Sequence, residues 1–524
     1  MKGRAADNAV ALGLALHKAG RFAEAEAEYR QACAEEPDHP QAIGLLADCL
    51  LKQNRPGEAL ALLDPFCAKH AENVRALNSR GLALMALDRP LEAAAAFSHA
   101  VRLAPEAAYP LANLGLAVTK LGRPEEGLTY FLGAVQRDPR HVEALSNLGV
   151  GLREKRDLDG AIHCLRRALA LAPERAALWN NLATALDEQG ERAQAVEAYR
   201  RCLALDPGYA PVRCNLGMSL LALGQFEEGF AAYEGRWLRP DLPPRPFAQP
   251  LWNGEDIAGK TILLHAEQCL GDTFHFVRYV PLVARLGARV ILECQPALKS
   301  VLFGLDGVSH LIGRDRDPLP DFDCHLPLMS LPRVFATRLE SIPAEPYLSA
   351  DPARTAEKRV WLAGFPGLKV GLAWRGNAKY QGTDWRSPGL EPLARLATVS
   401  GVRFVGLQMD GRRELLERFG PDAVLDLGHE VDAATAPFVE TAALMAALDL
   451  VIASDTSVPH LAGALGRPTW LILPHPAEWR WLEERPDSPW YPSMRLFRQR
   501  PGENWEPMAE RLQAALADRV RACG

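Results

Sequence analysis

The sequence predicts an α + α/β fold: a superhelix of short helical repeats, then two doubly wound α/β domains in tandem. Three features carry that prediction. Small residues recur at a strict spacing through the first part of the 524-residue chain, a proline-dense segment follows, and beyond it β-rich runs alternate with amphipathic helical stretches.

The repeats come first. Gly13, Ala47, Gly81, Gly115, Gly149, Ala183 and Gly217 stand 34 residues apart, and 12 residues after them come Ala25, Ala59, Ala93, Gly127, Ala161, Ala195 and Gly229. Pro37, Pro105, Pro139, Pro173 and Pro207 follow most of the first set by 24 residues. Small residues where paired helices touch, with proline after the second helix, make the tetratricopeptide (TPR) period, and seven units fill residues 1–239. The second unit is the least regular, with Ala71 in the proline's place. Stacked pairs present a concave face lined by their first helices, a surface suited to an extended polypeptide. Asn113, Asn147, Asn181 and Asn215 recur two residues before the small residue, so the superhelix aligns them as a ladder. A carboxamide donates and accepts without reading a partner's side chains, which suits protein capture; the same residues could instead tie neighbouring repeats together.

The stretch LRPDLPPRPFAQP, residues 238–250, holds five prolines in thirteen residues, and the segment 240–252 reads as a stiff linker. After it, KTILLHAEQCLGDTFHFVRYVPLVARLGARVILEC reads as strand, glycine-containing loop, helix and strand. Its helix carries Phe276, Val280, Val283 and Leu286 at helical spacing. This opens a first Rossmann-like domain over residues 253–350. A second, over 365–524, starts at LKVGLAW, continues through VRFVGLQM and AVLDLG, and reaches LDLVIASDTSVPHLAGALGRPTWLILP at 448–474. Two such domains face each other across a cleft, and their ligands lie beyond the carboxyl ends of the strands, where helix N-termini offer free N–H groups. DLVIAS delivers Asp455, Thr456 and Ser457 to a helix start, where backbone N–H groups and hydroxyls can hold a phosphate or diphosphate; His460 lies on the same face. Asp455 or Thr456 as a simple helix cap, with His460 as a core histidine, is the alternative these residues allow.

These residues resemble the glycosyltransferases of the two-domain GT-B fold, particularly the lipopolysaccharide heptosyltransferase-like group, over roughly residues 250 to 510. In that group a GD pair opens the first helix of the acceptor domain and a DT…H helix start binds the donor diphosphate. Gly271-Asp272 and Asp455-Thr456 with His460 stand at those places here. With seven TPR units and SPWYPSMRLFRQ near the C-terminus, the chain is similar to bacterial TPR-containing protein glycosyltransferases, among them those that modify flagellin. Its layout also resembles that of the TPR O-linked N-acetylglucosamine transferases, whose catalytic His/Lys pattern it lacks. The resemblance implies sugar transfer from a nucleotide-sugar co-substrate, without metal or other cofactor, to Ser or Thr of a captured protein, flagellin being the favoured acceptor. A lipid or saccharide acceptor, or a non-catalytic TPR scaffold, are the rival readings.

On the glycosyltransferase reading, the acceptor hydroxyl needs a base and the departing phosphate needs positive charge. Asp272 is the candidate base, with helix capping its alternative, and Gly271 lies beside the donor. Arg375, Lys379 and Arg386, all in RGNAKYQGTDWRS, offer charge for the phosphate, and Gln408 at the end of VRFVGLQ is placed to meet the nucleoside. The DRD and DFD triplets, residues 315–317 and 321–323, read as a solvated loop and a strand start rather than a metal site. Trp479, Trp481, Trp490 and Tyr491 form a dense aromatic set of the kind that packs a domain junction.

Composition narrows the partners. With 59 Lys+Arg against 65 Asp+Glu the net charge is −6, and no basic run is long enough to follow a nucleic-acid backbone. Ten cysteines spread from Cys33 to Cys523 without a CxxC pair, as expected of buried thiols in a reducing compartment. No apolar run approaches the ~20 residues of a membrane span, no cleavage site follows the N-terminal apolar stretch, and a cytoplasmic location is expected.

Overall fold

The computed structural model describes residues 2–239, 243–376 and 384–523. Among them the first fourteen helices form seven consecutive pairs, from Lys2–Lys18 with Phe22–Glu35 to Ala210–Ala222 with Phe226–Tyr233. The small residues explain the pairing. A Cβ on Gly13 would stand 2.6 Å from the Tyr29 ring, on Gly81 2.4 Å from Phe97, on Gly115 2.7 Å from Phe131 and on Gly149 2.7 Å from Leu165. These four first helices therefore give up a side chain so that a large one from the partner helix can be buried, and Tyr29 and Phe97 are wholly enclosed. The irregular second unit still folds as Pro40–Lys52 and Pro56–Lys69, each with proline in the first turn, where no hydrogen bond is lost.

The chain divides into two compact units, Met1–Leu186 with Arg201–Pro207, and Asp187–Arg200 with Gly208–Gly524. The division falls inside the sixth repeat rather than at the proline-rich segment. The reason is local to the second unit, where the last helix pair shares a core with the α/β part. Phe226 lies 5.8 Å from Trp490, and Phe230 lies 5.8 Å from Trp479. Arg192 donates to the carbonyl of Ala477.

Two parallel sheets follow among the described residues. The first comprises β1 (Thr261–His265), β2 (Arg289–Cys294), β3 (Val308–Gly313) and β4 (Cys324–Pro327), in the order β3-β2-β1-β4. The second comprises β5 (Leu368–Ala373), β6 (Val402–Gly406), β7 (Leu450–Ser454), β8 (Thr469–Leu473) and β9 (Met494–Arg498), in the order β6-β5-β7-β8-β9. All five strands of the second sheet run parallel, and β7 and β8 are buried along their whole length, as expected of central strands covered on both faces. The order reverses between β1 and β4 and between β5 and β7, so the switch points lie beyond the carboxyl ends of β1, β5 and β7.

Three expectations shift. The helix after β1 is broken into Leu270–Phe276, a 3₁₀ turn and Val280–Arg285, which leaves Leu286 beyond the helix end and exposed rather than on a buried stripe. AVLDLG contributes one isolated bridge, Phe404 to Val424, not a strand. The proline-rich segment is more than a spacer: Phe247 packs against His265, Phe322 and His325, so this stretch covers one face of the first sheet. No helix among the described residues is long and apolar enough to cross a membrane.

Candidate functional site

After β1, Ala266-Glu267-Gln268-Cys269 turns the chain into the helix Leu270–Phe276. Asp272 closes that turn, its Oδ2 accepting the Cys269 N–H at 2.9 Å. Strand β7 ends in Ser454, and Asp455 and Thr456 lead into the helix Ser457–Ala464, with Thr456 as its cap accepting the Val458 N–H at 3.3 Å. These two helix starts meet. A Cβ on Gly271 would stand 3.0 Å from His460 Cδ2 and 3.7 Å from Ser457 Cα, so glycine permits the approach.

The charge at this meeting point is dominated by a residue the sequence reading passed over. Arg480 is nearly fully buried, and its Nη2 donates to Asp272 Oδ1 at 2.5 Å, from the opposite sheet's half of the unit. Its Nη1 donates to Glu478. The guanidinium lies over Trp479 at 4.4 Å and Phe276 at 5.4 Å. Burial alone would lower its pKa; Glu478 and Asp272 beside it more than reverse that and hold the cation charged. Burial pushes the Asp455 carboxyl up, Arg480 and Arg386 oppose the rise, and Asp272 adds to it. Burial likewise raises Glu478 to about 7, against the pull of Arg480 and helped by Asp455. Two carboxylates, Asp272 and Glu478, share one buried guanidinium, and Asp455 lies within its electrostatic reach.

His460 is buried beneath this cluster. Its ring stacks on Trp481 at 5.3 Å, and its Nδ1 is hydrogen-bonded to Tyr491 Oη at 3.0 Å. The same hydroxyl meets His275 Nδ1 at 3.2 Å. Burial, then the charges of Arg480 and Arg278, hold His460 well below its ordinary pKa, so it is a neutral group. Arg278 fixes the junction from the other side, donating to the carbonyls of His275 at 2.7 Å and Trp490 at 2.6 Å. Trp479, Trp481, Trp490 and Tyr491 are thus packed between the sheets and the last helix pair, as junction residues.

The remaining candidates fall on the second sheet and on the repeats. Arg375 follows β5, its N–H donating to Gln408 Oε1 at 3.3 Å and its guanidinium paired with Glu414 and, at 3.5 Å, Asp410. Gln408, just past β6, therefore meets Arg375 at the mouth of the second sheet. Lys379 lies outside the described residues. Asn113, Asn147, Asn181 and Asn215 do fall on the first helices of successive pairs. Asn113 Nδ2 donates to Asn78 Oδ1 at 2.8 Å, and Asn181 Nδ2 lies 3.4 Å from Ser146 Oγ, both on the preceding first helix. Asn147 lines a cavity of about 270 Å³ with Leu116, Phe131 and Val150.

Sequence reasoning missed Arg480, Glu478, His275, Arg278 and the ion pair of Arg236 with Glu267. The signal for Arg480 was at hand in EWRWLEERP, a stretch read for its tryptophans alone. Arg236 follows the last helix pair, is wholly buried, and holds Glu267 at 2.8 Å in the turn that leads to Asp272.

Comparison with known proteins bears on the repeats. Tetratricopeptide repeat models match residues 16–77, and 112–162 with 148–210. Protein FlbA of Caulobacter vibrioides is 30% identical over 334 residues, which is 57% of this chain and 53% of that protein. The chain thus matches about half the length of that relative. A thermophilic TPR protein of Thermus thermophilus is 24% identical over 35% of this chain and 99% of its own, with a TM-score of 0.33. Pseudomonas aeruginosa pilF is 21% identical over 40% of this chain and 96% of its own, with a TM-score of 0.36. The helical part of this chain is built of tetratricopeptide repeats.

Proposed function

We propose that the protein is a metal-independent glycosyltransferase of the GT-B type that moves a sugar from a nucleotide-sugar donor to Ser or Thr of a protein held by its repeats, flagellin being the candidate acceptor. One observation carries the reading: Gly271-Asp272, beyond β1, and the helix start Asp455-Thr456-Ser457, beyond β7, face each other at the switch points of two parallel sheets. That is where such folds bind their ligands. In this reading the helix start and its N–H groups receive the donor diphosphate, and Asp272 takes the proton of the acceptor hydroxyl as the new glycosidic bond forms. The bond from the anomeric carbon to phosphate breaks, and the electron pair leaves with the nucleoside diphosphate.

A second reading has an observation of its own. Both Asp272 oxygens are engaged, one by Cys269 and one by Arg480, which suits a non-catalytic scaffold. Intact-mass measurement of flagellin co-expressed with this chain and a sugar pathway, beside nucleotide release from a panel of nucleotide sugars, separates the two. A sugar-sized mass gain that falls by about a hundredfold or more in Asp272→Asn supports the transferase. Absence of both mass gain and nucleotide release favours the scaffold.

A further inference from the structure

The placement of Arg480 reaches beyond a static ion pair. It stands on the second sheet's side, in the stretch after β8, yet its Nη2 is spent on Asp272 of the first. Its Nε is buried without a hydrogen-bond partner among the described residues. Stacking on Trp479 and Phe276 holds the plane of the guanidinium while leaving its edge to choose among acceptors. Around that edge lie Asp272, Glu478 and, within electrostatic reach, Asp455 at the mouth of the helix Ser457–Ala464. Asp272 and Glu478 each take one terminal nitrogen, and a planar fork with an unused Nε donor can turn to a bidentate anion.

We propose that Arg480 is a switching cation, which neutralises Asp272 until a nucleoside diphosphate group at the Asp455–Ser457 helix start competes for it and thereby frees the Asp272 carboxylate. The inference rests on the nucleotide-sugar reading and adds an order to it: donor binding creates the base. No atom changes hands in the exchange; the guanidinium stays protonated and trades one oxyanion for another. In the transfer that follows, Asp272 accepts the proton of the acceptor hydroxyl, and the same guanidinium offsets the charge that collects on the departing phosphate.

Competition for one cation has a signature that a merely structural ion pair lacks. Calorimetry on the full chain with ADP, GDP, UDP and CDP, and with the matching nucleosides, identifies the nucleotide. With that nucleotide, Asp272→Asn is expected to tighten diphosphate binding by roughly tenfold, because the competing carboxylate is gone, while nucleoside binding stays level. Arg480→Gln is expected to weaken diphosphate binding by roughly tenfold or more, and Arg480→Lys to fall between, keeping charge but losing the fork. In the Arg480→Gln background, Asp272→Asn should no longer tighten anything. Thermal melts accompany each variant, and Arg480→Lys carries the test if Arg480→Gln does not fold. Unchanged or weaker diphosphate binding in a folded Asp272→Asn chain overturns the switch but leaves the nucleotide-sugar reading standing. No binding of any nucleotide by the parent chain overturns both.

Discussion

At the scale of single residues, environment rather than residue type sets the chemistry at the junction. His460, which the DT…H pattern presents as a hydrogen-bond donor to an anion, is a neutral ring beneath Trp481 whose Nδ1 is taken by Tyr491. Any contact it makes to a phosphate is that of a neutral imidazole, weaker than the charge-assisted bond the motif suggests. Glu478 shows the same rule in a carboxyl, raised by burial from 4.5 to about 7. Between those values the folded chain holds a proton that the unfolded chain has released, so stability falls as pH rises from 4.5 toward 7 and the cost is complete above it. The neighbouring charges that face Glu478 are Arg480, Asp455 and Asp272, and burial of Asp455 adds a slope of the same sign. Glu478→Gln is therefore expected to raise the melting temperature at pH 8 relative to the parent and to leave it level at pH 4. Equal shifts at both values would assign the effect to packing instead of titration.

At the scale of elements, the decisive contacts join secondary structures that the chain order keeps apart. Arg236, in the 3₁₀ turn after the last repeat helix, donates to Glu267 in the turn after β1, to Ser330 at 2.7 Å and to Glu234 at 2.6 Å. Glu267 in turn accepts the Met329 N–H at 3.1 Å. Removing one member leaves a buried charge without its partner, so Arg236→Met is expected to cost about 3–5 kcal/mol in urea unfolding, with Arg236→Met/Glu267→Leu recovering a large part. The asparagine ladder belongs to this scale as well. Asn113 and Asn181 already bond to the preceding first helix, so part of each carboxamide ties repeats together. A fourfold change of Asn113, Asn147, Asn181 and Asn215 to Ala is accordingly expected to lower stability by about 1–3 kcal/mol, summed from net hydrogen bonds of about 0.5–1.5 kcal/mol. On the proposed glycosyltransferase reading it should also abolish retention of the acceptor protein in pull-downs at a temperature where circular dichroism shows intact helix. Full retention would make the ladder structural alone.

At the scale of the whole molecule, the proline-rich segment is where composition changes, but it is not where packing stops. Phe226, Phe230 and Tyr233 of the last repeat share one core with Trp479, Trp490 and residues of both sheets. A chain beginning at Pro243 would expose that aromatic surface, whereas one beginning at Asp187 keeps it covered. The longer fragment is expected to be soluble with a single cooperative melt, and the shorter to aggregate or to bind a hydrophobic dye. A well-behaved shorter fragment would show the aromatic junction to be dispensable.

Local and periodic features are legible in the chain's residues. The 34-residue spacing of small residues sets the helix repeats, because the close contacts at Gly13, Gly81, Gly115 and Gly149 each form within one repeat. The β-rich runs and the glycine and hydroxyl residues after them put Gly271-Asp272 and Asp455-Thr456-Ser457 at the starts of the helices that follow β1 and β7, since a strand, its turn and the next helix start are contiguous in the chain. What those residues meet depends on how the chain packs in space. Asp272 and Arg480 are 208 residues apart, and no periodicity links them. The neutrality of His460, the raised carboxyl of Glu478 and the docking of the last repeat on the α/β part all follow from which surfaces exclude water together. Desolvation and Coulomb energy depend on distance in space, and a sequence records only distance along the chain.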